Sequence, residues 1–264
     1  MVIFMNYNVD YHFHGNFSRF QKRAYKKARC LWKMLQENGI NVVISTEHAY
    51  KNYKQAYKIL KATKPEDIYL FPGIEYITKE GIDIVIFSEK ESIYNHKEFY
   101  PYAMTFAETI DFINNHSELR SFVTHPYTIG TTSVIKKLGI EVYHRAVEDL
   151  GSVEIANSAM DTTIDLLEGF KIFSKKIESL KKVKILPKGD YPKNIKFLAA
   201  GSDSHHCKNI GTFLSIESEE SDVFKAITNH SSDQVSYKQD NKWWQIIPSA
   251  LTTLHEYFTK KINY

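Results

Sequence analysis

Residues 10–14 read DYHFH, with one carboxylate and two histidines at alternate positions. Side chains two positions apart on a β-strand point to the same face, so Asp10, His12 and His14 can reach one site. Imidazole and carboxylate groups together suit borderline divalent cations such as Zn, Mn and Fe(II). A lone His-x-His pair also recurs by chance on strand surfaces, so the rest of the chain decides whether this pair marks a metal site.

Seven short apolar segments predict strands that could position such a site. They span residues 7–12, 41–45, 68–75, 82–88, 121–125, 152–157 and 196–201. Most are rich in β-branched or aromatic residues and are bounded by polar residues, Gly or Pro, as buried strands are. Helical patterns near 24–35, 53–60, 105–113, 162–172 and 222–228 alternate with them. This order predicts a mainly parallel sheet with crossover helices, either open or closed into a barrel.

Two of the predicted helices carry clear local signals. The first has one apolar stripe, formed by Ala24, Ala28, Leu31 and Leu35. Gly39 is placed to end this helix, because glycine readily adopts the left-handed backbone of a helix C-terminus. Residues 105–108 read TFAE, which is typical of a capping box that opens a helix.

Polar residues that can bind metals lie at or just after nearly every predicted strand. They are His14, Glu47 with His48, Glu75, His125, Glu154 with Asn157, and Asp203 with His205. Side chains from so many strand ends converge if the strands form a ring, with the site at the carboxyl end of a barrel, whereas an open sheet would scatter them. No glycine-rich phosphate loop of the Rossmann or P-loop type is present, so a nucleotide-binding fold is not supported.

The composition sets further limits. The formal net charge of the 264 residues is only +3, which demands neither a nucleic-acid nor a membrane partner. Cys30 and Cys207 lie far apart in the sequence and form no CxxC pair, which suits a reducing compartment and argues against a disulfide framework. The first residues, MVIFM, lack the features of a signal peptide, and no apolar run approaches a membrane span. We therefore expect a cytoplasmic protein.

The strand-end residues, in their order, resemble the PHP (polymerase and histidinol phosphatase) superfamily of metal-dependent phosphoesterases. The matching segments, spread over residues 8–212, are DYHFH at 10–14, TEH at 46–48, PGIE at 72–75, THP at 124–126, EIAN at 154–157 and GSDSH at 201–205. The resemblance implies an α/β fold, a distorted seven-stranded β/α (TIM-like) barrel of the PHP type. It also implies hydrolysis of phosphate esters with divalent Zn, Mn or Fe ions. The length of the chain leaves room for a single domain over residues 1–264.

The resemblance also implies roles for individual residues. The metal ligands would be His12, His14, His48, Glu75, His125, Asp203 and His205. Glu75 would bridge two ions, with His12 and His14 on the first ion. His48 and His125 would bind the second.

Catalytic roles fall to Glu75, Asp203 and His205, because they lie at the implied metals. Asp203 is the expected carrier of a proton between the nucleophile and the leaving group. Residues that would support the ligands or contact the substrate are Asp10, Arg19, Glu47, Asn157 and His206.

The chain departs from the family pattern in two places. Residues 15–20, GNFSRF, lack the Asp or third His that the family places after its His-x-His pair, and Ser88 takes the place of a family histidine near the fourth strand. We therefore expect two metal ions rather than three. Arg19 could hold a substrate phosphate by paired hydrogen bonds, although an exposed Arg at the start of a basic helix is the ordinary interpretation.

Three functions fit these residues. The first is a phosphomonoesterase that acts on a small phosphorylated metabolite or nucleotide with a water activated by two metals. The second is a phosphodiesterase or nuclease with the same metals, for which the basic segment 22–29 is the only indication, so nucleic acid is not the favoured partner. The third is a catalytically weakened regulatory or scaffold subunit. A C-terminal extension, residues 236–264, is expected to pack on the barrel or to form an interface with another chain.

Overall fold

The computed structural model describes residues 4–127, 132–162 and 194–239. Its strands are β1 (Met5–Phe13), β2 (Val42–Ser45), β3 (Tyr69–Ile77), β4 (Asp83–Ser88), β5 (Leu119–Val123), β6 (Ser152–Asn157), β7 (Phe197–Gly201), β8 (Phe213–Ser218) and β9 (Val235–Lys238). Its helices are α1 (Gln21–Glu37), α2 (Tyr53–Thr63), α3 (Phe106–Asn114), α4 (Val134–Leu138), α5 (Ile140–Leu150) and α6 (Val223–Thr228). Within these ranges, no helix combines the length and the apolar character needed to cross a membrane.

The strands form a mixed α/β fold around a seven-stranded sheet that curls into a half-barrel. The strand order is β5-β4-β3-β2-β1-β8-β9, and β6 and β7 form a separate parallel pair. The predicted α/β class is confirmed, but the prediction of a mainly parallel sheet is wrong. Only β1, β2 and β3 run parallel within the large sheet, because its other four pairings are antiparallel.

The reversal between β3 and β4 comes from a tight turn. Thr78 donates its backbone N–H to Ile82 at 3.0 Å, and Gly81 between them has a φ of 73°. Glycine adopts this left-handed backbone without steric cost, so the chain turns back within a few residues and β4 pairs antiparallel with β3. A crossover helix would have been needed for a parallel pairing.

The pair β6–β7 lies beside the open side of the half-barrel, with β7 next to β1 and β6 next to β5. The approach of β7 to β1 is close at Gly201. A Cβ atom on this glycine would lie 2.4 Å from the His12 Cβ and 2.6 Å from its backbone nitrogen. Just beyond β7, Asp203 donates its backbone N–H to the His12 carbonyl at 2.8 Å. The absence of a side chain at residue 201 therefore lets the segment 201–205 reach the end of β1.

An aromatic cluster fills the interior beneath this end of β1. The Tyr11 ring is fully buried, and its centroid lies 6.0 to 6.3 Å from those of Phe87, Phe122 and Phe197. Its hydroxyl donates to the carbonyl of Ile227 at 2.6 Å, so the buried polar group is satisfied. These contacts connect β1, β4, β5 and β7, and they fix the strands whose ends carry the polar residues.

The predicted helix signals are confirmed. The four apolar residues predicted for the first stripe are buried on α1, which packs its inner face against the sheet: Ala24, Ala28, Leu31 and Leu35. Gly39 follows the helix with a φ of 75°, and Thr105 and Glu108 form the predicted capping box of α3. Amphipathic spacing and capping chemistry act locally, which explains why the sequence identifies them.

Four elements were not predicted, namely α4, α5, β8 and β9. β8 pairs antiparallel with β1 and extends the sheet at its other edge. β9 pairs with β8, so residues 236–238 of the predicted C-terminal extension belong to an edge strand. The remainder of that extension from residue 240, and the predicted helix from residue 163 onward, lie outside the described residues.

We predict that Gly201→Ala lowers the free energy of unfolding by about 2–3 kcal/mol, because the new methyl group would collide with β1 and force the strands apart. Urea unfolding followed by circular dichroism measures this loss. Gly39→Ala is the matched control, since its nearest atom is 3.7 Å away and only the left-handed backbone is strained, at a cost of about 1 kcal/mol. Equal losses in the two variants would contradict the close approach.

Candidate metal centre

Three groups of imidazoles and carboxylates meet at the strand ends of the half-barrel. They are His14, His48 and His205; His12, His14 and Glu75; and Glu75, Asp83 and His125. In each group the candidate ligand atoms lie within 4.8 Å of one another. His14 and Glu75 are each shared by two groups, so the three form one continuous cluster, which we call the His/carboxylate cluster.

Glu75 occupies the middle of this cluster, and its two oxygens face different histidines. On one side, Oε1 lies 3.3 Å from His12 Nε2 and 3.1 Å from His125 Nε2. On the other side, Oε2 lies 3.5 Å from His14 Nε2 and also contacts Nδ1 of His48. The expected assignment of His12 and His14 to one ion, and of His48 and His125 to the other, stays a prediction, since His12, His14 and Glu75 also form one of the three groups. The two histidines of the β1 pair lie on opposite sides of the carboxylate.

Asp203 and His205 reach the cluster from the segment after β7. The Asp203 Oδ1 atom lies 3.2 Å from His14 Nε2 and 3.7 Å from His12 Nε2. His205 Nε2 lies 3.1 Å from His48 Nε2. The structure thus brings all seven predicted metal ligands together, with Glu75 and Asp203 both in contact with the histidine pair of β1.

Asp83 belongs to the cluster although the sequence analysis did not identify it. Its Oδ2 atom lies 3.7 Å from His125 Nε2, and its side chain is buried. Ser88, which the sequence analysis placed where the family has a histidine, lies at the opposite end of β4, where it pairs with Leu119. Because β4 runs antiparallel to β3, its first residue and not its last faces the site. Gly81 in the turn was the signal that could have revealed this direction.

One acidic residue orients His12, and a second lies near His14. Glu154 Oε1 lies 3.3 Å from His12 Nδ1, which leaves His12 Nε2 directed at Glu75. Asn157 donates to Glu154 at 3.1 Å and holds that carboxylate in place. Glu47 Oε1 lies 3.7 Å from His14 Nδ1, close enough for a charge interaction but too far for a hydrogen bond. The hydrogen-bonded partner is therefore the one on His12. Such partners fix the tautomer and the ring orientation of a ligand histidine.

Asp10 accepts hydrogen bonds from the backbone and from Ser202, and not from the ring of any histidine among the described residues. Its Oδ1 atom accepts from the backbone N–H groups of His12 at 3.1 Å and Ser202 at 3.0 Å, and its Oδ2 atom accepts from the Ser202 hydroxyl at 2.6 Å. The carboxylate therefore fastens the end of β1 to the segment after β7, which carries Asp203. Burial raises the pKa of Asp10 to about 7, and its hydrogen bonds with Ser202 oppose that increase.

The structure places two of the predicted contact residues away from the cluster. Arg19 is exposed, with its guanidinium carbon 5.3 Å from the ring centroid of Phe20, and no contact among the described residues joins it to the cluster. His206 turns its Nδ1 toward the backbone N–H of Lys208 at 3.3 Å and caps the short 3₁₀ helix Cys207–Asn209.

A different cation and an aromatic ring lie at the mouth of the site. The Tyr50 ring stacks on His48, with the ring centroids 4.7 Å apart. The Lys51 ammonium lies 6.0 Å from the Tyr50 ring centroid, 3.7 Å from Glu47 and 3.1 Å from Asn16 Oδ1. The Lys51 side chain is 23% exposed, so it reaches both the cluster and the solvent.

The pKa values of the histidines in the cluster shift in opposite directions. Burial lowers the pKa of His14 and of His125, but neighbouring carboxylates outweigh burial and raise both values to about 9. Burial and the adjacent His14 lower the pKa of His205 to about 3. Burial, together with repulsion from Glu75, raises the pKa of Asp83 to about 7. Negative charge is therefore in excess around Glu75 and Asp83, which favours a cation there.

The donor atoms fit a borderline divalent metal. Nε2 of His12 and Nε2 of His14 are buried and have no hydrogen-bond partner among the described residues. Buried ring nitrogens normally have such a partner, and a metal ion would replace it. The three groups contain only imidazole and carboxylate donors, which suits Zn, Mn or Fe(II) better than Mg or Ca.

The backbone is strained at two of the cluster residues. His125 has a φ of 31° and Asp203 a φ of 47°, although neither is glycine. Non-glycine residues with positive φ are uncommon and concentrate at functional sites. The hydrogen bonds from His125 N–H to Glu154 and from Asp203 N–H to the His12 carbonyl hold these two conformations.

Comparison with known proteins identifies similar structures but no family. No family model and no curated protein matches the chain. PsfC from Pseudomonas syringae PB-5123 is similar in structure, with a TM-score of 0.57, 13% identity, and coverage of 95% of this chain and 97% of PsfC. At this identity the similarity is one of fold.

Endonuclease Q is also similar in structure. Its complex with a 27-mer duplex substrate, which has an abasic lesion at the active site, matches with a TM-score of 0.50, 14% identity and 84% coverage of this chain. The lesion-specific endonuclease from Pyrococcus furiosus matches with a TM-score of 0.48 and 14% identity. The chain spans about half of endonuclease Q, with 55% of that protein covered.

We predict that Asp83→Asn lowers the affinity for Zn or Mn by at least about tenfold, because it removes a buried charged donor beside Glu75 and His125. Isothermal titration of the metal-free protein measures the affinity, and elemental analysis gives the number of ions bound. Ser88→Ala, at the far end of the same strand, serves as the control and should bind metal like the unmodified protein. Equal affinities for both variants would exclude Asp83 as a ligand.

Proposed function

We propose that this protein is a metal-dependent phosphoesterase of the PHP type, most active on phosphate monoesters. The observation that carries the proposal is the His/carboxylate cluster, in which five histidines and three carboxylates converge at the strand ends of a half-barrel. The order of the sequence motifs supports the family. The proximity of β6–β7 to β1 and β5 supports a distorted barrel, and we assign residues 1–264 to a single domain.

In this proposal the residues of the cluster have separate roles in metal binding and proton transfer. When bound, two divalent ions, Zn, Mn or Fe, supply Lewis acidity and an activated water. Glu75 would be shared by the two ions, because His12 and His125 face one of its oxygens and His14 and His48 face the other. These four histidines would hold the ions, and Asp203 would accept the proton of the nucleophile. Two ions remain the proposed number, and His205 would complete the ligands beside His14 and His48, with which it forms one group.

The mouth of the site supports a phosphate monoester as substrate. A monoester phosphate carries one more negative charge than a diester at neutral pH. Lys51 provides a cation next to the cluster, and the Tyr50 ring, stacked on His48, offers a flat apolar surface to the organic part of the substrate. We therefore assign the phosphate contact to Lys51 in place of Arg19.

A nuclease is the second candidate, because endonuclease Q, which has a similar fold, forms a complex with a 27-mer duplex substrate that has an abasic lesion at the active site. The basic side of α1 offers the corresponding charge, since Lys22, Arg23, Lys26 and Arg29 are exposed. The third candidate, a metal-binding subunit without activity, is distinguished by assay alone.

The activity test compares three substrates with Zn- or Mn-loaded protein. We expect faster hydrolysis of p-nitrophenyl phosphate than of bis-p-nitrophenyl phosphate, and no cleavage of duplex DNA with an abasic site. Cleavage of the diester or the DNA alone would favour the nuclease, and stoichiometric metal without activity would favour the regulatory subunit. His12→Ala/His14→Ala should abolish the activity, and full activity in this variant would exclude the site.

We predict that Lys51→Ala raises KM for p-nitrophenyl phosphate by about tenfold or more and changes kcat little, because a charge-assisted hydrogen bond to the phosphate is lost. Steady-state kinetics separates the two constants. Arg19→Ala is the matched control, since this exposed cation lies against Phe20 and should leave both constants unchanged. A larger increase of KM in the Arg19 variant would return the phosphate contact to Arg19.

A further inference from the structure

Asn16 lies in the segment between β1 and α1 and joins three parts of the chain at the mouth of the site. Its backbone N–H donates to Oε2 of Glu47 at 2.5 Å, and its carbonyl accepts from the Lys27 ammonium at 2.9 Å. Its side-chain oxygen Oδ1 accepts from the Lys51 ammonium at 3.1 Å. Asn16 therefore connects the end of β1 to α1 and to the segment between β2 and α2.

The backbone at Asn16 is held in an uncommon conformation. Its φ is 42°, in the left-handed region that asparagine enters more readily than most other non-glycine residues. The next residue, Phe17, packs against the two apolar clusters that contain Leu31 and Ala28 of α1. The packing of Phe17 and the two backbone hydrogen bonds of Asn16 fix the place from which the Asn16 amide reaches Lys51.

The position of the Lys51 ammonium matters because a lysine side chain is long and flexible. An ammonium on four methylene groups can take many positions, and fixing it when a ligand binds costs conformational entropy. The Glu47 carboxylate attracts this ammonium at 3.7 Å, and the Asn16 oxygen holds it at hydrogen-bond distance. An ammonium has three donors, so it can keep this hydrogen bond while it donates to a phosphate oxygen.

We propose that Asn16 is a positioning residue that holds the Lys51 ammonium where the phosphate of the substrate binds. This inference rests on the proposed function, in which Lys51 contacts the phosphate. Asn16 acts only through Lys51. It lowers the entropy cost of phosphate binding, because the ammonium is in place before the substrate arrives.

An amide suits this task better than a carboxylate. A carboxylate at residue 16 would also hold the Lys51 ammonium, but its negative charge would repel the phosphate and offset the positive charge of Lys51. The neutral amide oxygen of Asn16 accepts the hydrogen bond and leaves that positive charge available to the substrate. The chemistry of Asn16 therefore fits a residue that places a cation for an anionic ligand.

The test measures the binding of inorganic phosphate to Zn- or Mn-loaded full-length protein by isothermal titration. Asn16→Gly removes the amide but keeps the left-handed backbone and the N–H group that donates to Glu47. We expect it to raise the Kd for phosphate by about three- to tenfold. KM for p-nitrophenyl phosphate should rise by a similar factor, with kcat little changed.

A double-mutant cycle separates positioning from a general structural effect. Because Asn16 acts through Lys51, the Kd of Asn16→Gly/Lys51→Ala should equal that of Lys51→Ala alone. In the control pair, Arg19→Ala/Asn16→Gly, the full effect of Asn16→Gly should remain, since Arg19 lies against Phe20. The metal affinity and the urea unfolding midpoint of Asn16→Gly should match those of the unmodified protein.

The outcomes distinguish this inference from the proposed function. If Lys51→Ala weakens phosphate binding and Asn16→Gly does not, the role of Asn16 is overturned and the proposed function stands. Additive losses in the double variant, or a lower metal affinity in Asn16→Gly, would also overturn it. The expected phosphate binding without hydrolysis of any ester would uphold the role of Asn16 and exclude the phosphoesterase. Absence of phosphate binding by the unmodified protein would exclude both.

Discussion

The buried carboxylate of Glu75 is the constraint on which the arrangement of this end of the fold depends. It is 2% exposed, and four histidines contact it: His12, His14, His48 and His125. A carboxylate that is removed from water is strongly destabilising unless charged or hydrogen-bonding partners surround it. Those partners come from β1, from the segment after β2 and from the segment after β5. The sheet must curl for all of them to reach one carboxylate.

The position of Asp203 in the cluster depends on the close approach of the segment 201–205 to the backbone of β1. The segment 201–205 can bring Asp203 to His12 only because residue 201 has no side chain. Asp10 then fixes this proximity through its hydrogen bonds to Ser202. Neither Gly201 nor Asp10 points a donor atom at the groups that could hold a metal, yet both set the distance between the donors that do. Their presence beside the ligands in the sequence motifs therefore has a structural reason.

The sequence identified most residues of the His/carboxylate cluster. It did not show which oxygen of Glu75 each histidine faces. Apolar segments and capping signals identified seven strands and the first helices because those signals are local. Asp83 was not identified, because the direction of β4 depends on a hairpin turn. The expected assignment of His48 and His125 to one ion stays a prediction, and the structure adds that the two rings face different oxygens of Glu75. That is set by strands far apart in the chain, which periodicity does not report.

Helix α1 shows why a basic segment near a site need not mark a nucleic-acid surface. Most of its cations face solvent, but Lys27 is half-buried and donates to the carbonyls of Asn16 at 2.9 Å and His205 at 3.2 Å. A long side chain can place its charged end on backbone acceptors while its methylene groups pack on apolar surface. Lys27 thereby joins the segment after β1 to the segment after β7. The positive charge of α1 has a structural use at the site, which weakens its value as evidence for a nuclease.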